Sequence, residues 1–170
     1  MKNIVLIGMP GTGKSVVGRA LAQRLGYAFV DADDIIAEQA GKTLPEILRS
    51  EGLEAFLEIE EQVGRTMKFE CTVIATGGSM VLSEAAMENL KKDSVIVWLE
   101  TSFSRISGRM PDDLTDRGIA APSGMTLREI YLQRQPLYAQ FADLIVASTE
   151  GEDDTARQVE TIMRTVGIEP

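Results

Sequence analysis

The feature that most constrains the fold is the segment at residues 8–15, Gly-Met-Pro-Gly-Thr-Gly-Lys-Ser, which fits the pattern G-x-x-x-x-G-K-[ST] in full. It stands between an apolar, β-branched run, Asn3 to Ile7, and an amphipathic stretch, Lys14 to Leu25. A strand, a glycine-rich turn and a helix in this order predict an α/β unit whose turn amides and helix N-terminus hold phosphate oxygens. The structural alternative is an ordinary glycine-rich turn with an incidental lysine.

Short β-branched runs alternate with helix-length amphipathic segments along the rest of the chain. This alternation is typical of a parallel sheet covered by helices on both faces. The element order it predicts is β-α-β-α-α-α-β-α-β-α-α-β-α, with capping boxes at Thr43 to Glu46 and at Thr126 to Glu129. The predicted strands are Asn3 to Ile7, Ala28 to Val30, Thr72 to Ala75, Val95 to Leu99 and Leu144 to Ala147.

A chain of 170 residues with 44% hydrophobic content can bury one good core, so we expect a single domain over residues 1–170. The segment 110–124, rich in proline, aspartate and glycine, resists assignment to a helix or strand. A loop of this length in a compact domain is usually functional, and we interpret it as a mobile lid, called the lid segment below.

Composition excludes several classes of function. The formal net charge of -9 opposes binding to nucleic acid or to anionic membranes, and no apolar run is long enough to span a bilayer. The chain has no histidine, so any acid or base must be a carboxylate. We expect a cytoplasmic protein that acts as a monomer on a small molecule.

Carboxylates follow the second predicted strand as Asp31-Ala-Asp-Asp34. The carboxyl end of a strand beside a phosphate-binding strand is where ligands bind in open α/β sheets. One carboxylate can hold Mg²⁺ while another accepts a hydrogen bond from a substrate hydroxyl. The structural alternative is that Asp33 or Asp34 only caps the following helix. For Arg134, the residues alone favour an ordinary surface arginine.

Several segments together resemble the shikimate kinase family along almost the whole chain. Beyond residues 8–15 they are Asp31-x-Asp33, Gly41-Lys-Thr-Leu-Pro-Glu-Ile47, Gly52-x-x-x-Phe56 with Glu60, Thr76-Gly-Gly78 and Arg134-Gln-Pro-Leu-Tyr138. The resemblance implies a three-layer α/β/α P-loop kinase fold with a five-stranded parallel sheet in the order 2-3-1-4-5. It also implies transfer of the γ-phosphate of ATP to a hydroxyl of shikimate, with Mg²⁺, acceptor-binding helices over about 32–68 and a lid over about 110–124.

The resemblance also assigns roles to individual positions. By resemblance, the catalytic residues are Lys14, Asp33 and Arg117, of which Arg117 is the lid arginine that reaches the transferred phosphate. The residues that would bind Mg²⁺ are Ser15 and Asp31. The acceptor-binding residues are Asp33, Gly77, Gly78 and Arg134, and the nucleotide-binding residues are Gly11, Thr12, Gly13, Lys14, Ser15, Val16 and Arg109, with Arg109 against the adenine.

The chain departs from the family pattern at several positions. Leu57 stands where the family carries an arginine for the shikimate carboxylate, and Ser79 replaces a third glycine. Two alternatives therefore stay open beside shikimate phosphorylation: a related kinase for a different small hydroxy acid or polyol, with an apolar group facing Leu57, and a nucleotide-binding module without acceptor chemistry. A nucleoside monophosphate kinase is a third alternative, and the few cations between Asp31 and Ser79 argue against it.

Overall fold

In the computed structural model of the protein, which describes residues 2–148 and 154–167, five strands form one parallel sheet in the order β2-β3-β1-β4-β5. This confirms the predicted topology. The predicted domain range also includes residues 1, 149–153 and 168–170, which lie outside the described residues. The strands are β1 (Asn3–Ile7), β2 (Ala28–Asp31), β3 (Thr72–Ala75), β4 (Ser94–Glu100) and β5 (Leu144–Ala147).

The helices follow the predicted order. Both predicted capping boxes form: the Thr43 hydroxyl accepts from the Glu46 N–H at 3.3 Å, and the Thr126 hydroxyl accepts from the Glu129 N–H at 3.2 Å. The helices are α1 (Lys14–Leu25), α2 (Ala32–Ala40), α3 (Leu44–Ser50), α4 (Leu53–Thr66), α5 (Glu84–Lys92), α6 (Phe103–Ser107), α7 (Leu127–Phe141) and α8 (Asp154–Val166). None of the helices among the described residues is long and apolar enough to cross a bilayer.

Side chains of β1 alternate between two cores, which creates three layers. Ile4 and Leu6 join a cluster with apolar residues of α1 and α8. Val5 and Ile7 join a second cluster, on the other face, with residues of α5 and α7. Because the central strand is buried on both faces, its sequence is a continuous apolar run rather than an alternating one.

A third cluster lies beside the sheet and joins α2, α3 and α4 to the lid segment. Its buried members are Ile36, Ile47, Phe56, Val63 and Ala120. This cluster fixes α4, which contributes to the functional site described below.

The lid segment is more ordered than predicted. A short 3-10 helix spans Leu114–Arg117, and Ile119 and Ala120 after it are only 5% and 2% exposed. Arg49 of α3 forms exposed ion pairs with Asp113 and Asp116. The prediction of irregular structure throughout residues 110–124 is therefore wrong, because burial of two apolar residues anchors the segment's second half.

Gly64 sets the distance between α4 and α5. A methyl group at this position would lie 2.5 Å from Ala86 Cβ and 2.7 Å from Met80 Sδ. We expect Gly64→Ala to destabilise the fold by about 1–3 kcal/mol, since the helices must separate. For a chain of this length the melting temperature should fall by about 2–4 °C per kcal/mol, measured by thermal denaturation.

The matched control is Gly108→Ala at the end of α6. Gly108 has φ -67°, and the nearest atom to an added methyl group is the Ser104 carbonyl oxygen at 3.5 Å. Equal melting temperatures for the two variants would contradict the packing argument.

Candidate active site

A cavity of about 250 Å³ opens at the carboxyl ends of β1, β2 and β3. The turn after β1, the start of α2, the segment after β3, one face of α4 and the lid segment all contribute to its walls. This is where open parallel sheets bind ligands. Eleven of the predicted site residues line it: Gly11, Gly13, Lys14, Ser15, Val16, Asp31, Asp33, Gly77, Gly78, Arg117 and Arg134.

The turn after β1 has the geometry of a phosphate cradle. Gly8, Gly11 and Gly13 have φ values of 146°, 81° and 92°, which side chains rarely adopt. A methyl group on Gly8 would lie 2.7 Å from the Leu99 carbonyl oxygen. The glycines therefore let the backbone bend closely over β4 with its amides available to an anion.

Lys14 brings a buried positive charge to this turn. Its Nζ donates to the carbonyl oxygens of Gly8 and Met9, each at 2.8 Å. Burial lowers the pKa of Lys14 to about 8, against the opposing effect of Asp33 and Asp31. The ammonium group is thus held within the turn, and Lys14 lines the cavity.

Asp31 links the turn to α2. Its Oδ2 accepts a hydrogen bond from Ser15 Oγ at 2.7 Å, and its Oδ1 accepts from the Asp33 N–H at 3.0 Å. The N-cap of α2 is therefore Asp31, and the alternative that Asp33 or Asp34 serves as the cap is wrong. Asp31 ends β2 and begins α2, so its carboxylate is held beside the Ser15 hydroxyl.

The Ser15 and Asp31 oxygens are donors of the type that Mg²⁺ prefers. The described residues contain no group of three or more acidic, cysteine or histidine side chains able to hold a metal ion by themselves. A two-oxygen protein site fits an ion that takes its other ligands from water and phosphates.

Asp33 lies in the first turn of α2 and faces the segment after β3. A methyl group on Gly77 would lie 2.6 Å from Asp33 Oδ1. Burial raises the pKa of Asp33 to about 6, with a further contribution from Asp31 and an opposing one from Lys14. A carboxylate with a raised pKa at a cavity wall is suited to accept a proton from a hydroxyl.

Arg134 of α7 is buried, with 1% of its surface exposed. Its Nη2 donates to the Ala120 carbonyl oxygen at 2.6 Å, and its Nη1 would be 3.1 Å from a methyl group on Gly78. The alternative that Arg134 is an ordinary surface arginine is wrong. Tyr138, one turn further along α7, donates from its hydroxyl to the Gly78 carbonyl oxygen at 2.7 Å and so holds the same segment.

The remaining predicted residues lie at the cavity mouth or behind the cradle. Arg117 is exposed at the mouth, close enough to Lys14 to help lower its pKa. Two predicted nucleotide-binding residues do not line the cavity. The Thr12 side chain is buried, and its Oγ1 has no hydrogen-bond partner among the described residues. Arg109 Nη1 donates to the Gly11 carbonyl oxygen at 2.6 Å.

Sequence reasoning assigned no role to Glu60, which lines the cavity and is 2% exposed. Its Oε1 accepts from Ser79 Oγ at 2.6 Å. Burial raises the pKa of Glu60 to about 7, opposed by the hydrogen bond from Ser79. The available signal was helical spacing, because Glu60 shares the buried face of α4 with Phe56 and Val63.

Leu57 does not line the cavity. It is partly buried against the third cluster, beside Phe56. The alternative in which an apolar group of the acceptor faces Leu57 therefore finds no support in this arrangement.

The buried carboxyl of Glu60 makes stability depend on pH. Its pKa is about 7 in the folded protein against an ordinary value of 4.5, so between these values the folded state holds a proton that the unfolded chain has released. Stability from this group is therefore lost as the pH rises through that window. We expect Glu60→Gln to gain stability relative to wild type as the pH rises from about 5 to about 8, measured by calorimetric melting temperatures.

Glu58→Gln provides the control, since it makes the same change at an exposed position of α4. The Glu60→Gln difference from wild type should change with pH, and the Glu58→Gln difference supplies the baseline. A Glu60→Gln difference that follows this baseline would contradict the raised pKa of Glu60.

Comparison with known proteins supports one family. Residues 10–166 match the family model of shikimate kinase. A shikimate kinase of Synechococcus sp. (strain RCC307) is 39% identical over 162 residues, covering 92% of this chain and 82% of that protein. A shikimate kinase of Persephonella marina is 33% identical over 153 residues, covering 89% of this chain and 92% of that protein.

Solved structures agree with this assignment. The shikimate kinase from Acinetobacter baumannii in complex with shikimate superposes with a TM-score of 0.83 at 28% identity, covering 98% of this chain and 93% of that chain. The shikimate kinase from Aquifex aeolicus superposes with a TM-score of 0.82 at 25% identity, covering 97% of this chain and 96% of that chain. The cavity described above therefore lies in a protein that belongs to the shikimate kinase family.

Proposed function

We propose that this protein transfers the γ-phosphate of ATP to a ring hydroxyl of shikimate. The observation that carries the proposal is that one cavity joins a phosphate cradle holding Lys14 to a wall bearing Asp33 and Arg134. A donor phosphate and an acceptor hydroxyl bound at these two ends meet inside a partly enclosed space. Phosphoryl transfer depends mainly on such positioning and on stabilisation of charge.

The donor end binds the triphosphate. Backbone amides of the turn hold phosphate oxygens, and Lys14 exchanges its contacts with the Gly8 and Met9 carbonyls for the β- and γ-phosphates. Ser15 and Asp31 would hold Mg²⁺, which would offset the negative charge of the phosphates. Thr12 lies in the same glycine-rich turn, and Val16 lies in the first turn of α1. Both belong to the proposed nucleotide-binding segment.

The acceptor end orients the hydroxyl. Asp33 accepts its hydrogen bond and takes up its proton as the oxygen attacks the γ-phosphorus and the bond to the bridging oxygen breaks. Arg134 binds the acceptor's carboxylate, because a guanidinium fits a carboxylate through two hydrogen bonds. Gly77 and Gly78 present no side chain, so the ring can approach the backbone closely.

The lid segment completes the site. Arg117 moves over the transferred phosphoryl group and stabilises the negative charge spread over its oxygens. Arg109 releases the Gly11 carbonyl and lies against the adenine. Among the described residues that line the cavity, the cations on the acceptor side are Arg117 and Arg134. Their positive charges together attract the anionic acceptor.

We also propose that the protein acts as a monomer in the cytoplasm. Its formal net charge of -9 disfavours nucleic acid and anionic lipid as partners, since both would be repelled.

The reaction is tested by measuring ADP release from ATP and Mg²⁺ over a panel of acceptors. We expect efficient turnover with shikimate and none for Lys14→Ala, since that variant loses the ammonium group of the cradle. Circular dichroism should show that Lys14→Ala keeps the fold. Turnover of shikimate only at millimolar concentration, alongside efficient turnover of another hydroxy acid or polyol, would overturn the choice of acceptor. ATP binding without transfer to any acceptor would indicate a nucleotide-binding module.

Replacement of the proposed base should affect turnover rather than ATP binding. We expect Asp33→Asn to lower kcat by about 10²–10⁴-fold, because an amide oxygen cannot take up the hydroxyl proton. The KM for ATP should change by less than about threefold, measured by steady-state kinetics. Asp34→Asn, which removes the same charge from an exposed neighbour in the same helical turn, is the control. Equal losses in both variants would indicate a general charge effect.

A further inference from the structure

One oxygen in the acceptor half of the cavity has no protein partner. Glu60 Oε2 is buried and makes no hydrogen bond within the described part of the chain, while Oε1 of the same carboxyl is held by Ser79. A buried acceptor left unpaired is unfavourable, so native proteins rarely keep one unless a ligand or water satisfies it. Glu60 lines the cavity, which makes a ligand atom available to it.

The position of Oε2 relates it to the proposed base. A methyl group on Gly77 would lie 3.0 Å from Glu60 Oε2 and 2.6 Å from Asp33 Oδ1. Both carboxyl oxygens therefore lie close to the same point on the cavity wall. Gly77 leaves this point empty, so an acceptor ring lying over it comes within reach of both carboxyl groups.

We propose that Glu60 is a specificity-determining residue whose Oε2 hydrogen-bonds to a second hydroxyl of the acceptor, different from the hydroxyl held by Asp33. The inference rests on the proposed function and extends it by assigning the acceptor a second point of hydroxyl recognition. An acceptor with two suitably placed hydroxyls satisfies both carboxyl groups, whereas one with a single hydroxyl leaves Oε2 buried and unpaired.

A hydroxyl fits this position better than the acceptor's carboxylate does. It can donate to an ionised carboxyl, and it can also pair with the neutral form, which both donates and accepts. A carboxylate would be repelled by ionised Glu60 and is attracted instead to Arg134, whose Nη1 lies near Gly78. Hydroxyl and carboxylate recognition are thus divided between neighbouring parts of one wall.

Ser79 acts as a positioning residue. Its Oγ donates to Glu60 Oε1 at 2.6 Å, and its own side chain is 5% exposed. With Oε1 fixed in this way, the carboxyl plane cannot turn freely, and Oε2 keeps its orientation towards the cavity. The residue that replaces a family glycine therefore has a function through Glu60.

The test compares Glu60→Met, which removes both oxygens at similar volume, with Glu60→Gln, which keeps polar atoms there. We expect Glu60→Met to raise the KM for shikimate by roughly ten- to a hundred-fold, the loss typical of a hydrogen bond to a charged group. Glu60→Gln should lie between Glu60→Met and wild type. The KM for ATP should not change in either variant, and Glu58→Gln, exposed on the same helix, should match wild type for both substrates.

Shikimate analogues that each lack one ring hydroxyl identify the contact. The analogue that lacks the contacted hydroxyl should bind equally weakly to wild type and to Glu60→Met. An analogue that keeps this hydroxyl should still bind more tightly to wild type. Ser79→Ala should raise the KM for shikimate less than Glu60→Met does, again with no change for ATP. Binding measured by calorimetry in the presence of ADP gives the same comparison for analogues that are not phosphorylated.

The outcomes separate the two proposals. Wild-type protein that does not phosphorylate shikimate would overturn the proposed function. An active wild type whose KM for shikimate is unchanged in Glu60→Met would overturn only the role of Glu60 and would indicate that Oε2 binds a structural water. The role of Glu60 would also be overturned if Glu60→Met weakened the binding of every analogue by one common factor, since that is the effect of a merely structural residue.

Discussion

The buried ammonium group of Lys14 is the interaction on which the site depends. Its two hydrogen bonds to the carbonyls of Gly8 and Met9 tie the first residue of α1 to the end of β1 across a turn of left-handed glycines. A buried charge without partners would be very unfavourable, so the turn must close around it. The geometry that stabilises this lysine also places the glycine turn along the cavity.

The fold could be predicted from the sequence because its signals are local. Glycine at the turn, the two capping boxes and the apolar runs each specify an element within a few residues, and the cradle is a contiguous segment. The N-cap of α2 was harder to predict, since three neighbouring acids could all serve. The extended backbone of Asp31, with φ -104° and ψ 120°, decides this by ending β2 and starting α2 at one residue.

Other parts of the site depend on contacts between distant segments. The Arg134 side chain is buried because the lid segment folds over it and Ala120 accepts its hydrogen bond, which no pattern within α7 can indicate. One carboxyl oxygen of Glu60 accepts a hydrogen bond from Ser79, which lies on another element. Leu57, on the same helix, packs inward against the third cluster and not into the cavity. These outcomes depend on contacts between segments that are distant in the sequence, and helical spacing alone does not determine them.

The lid segment is attached to the rest of the molecule in two physically different ways. Arg49 pairs with Asp113 and Asp116 at the surface, where salt screens attraction between charges. Ile119 and Ala120 are held by burial, which salt does not screen. Gly118 separates the two halves with φ 72°. High ionic strength should therefore weaken the surface ion pairs of the first half and leave the burial of Ile119 and Ala120 unchanged.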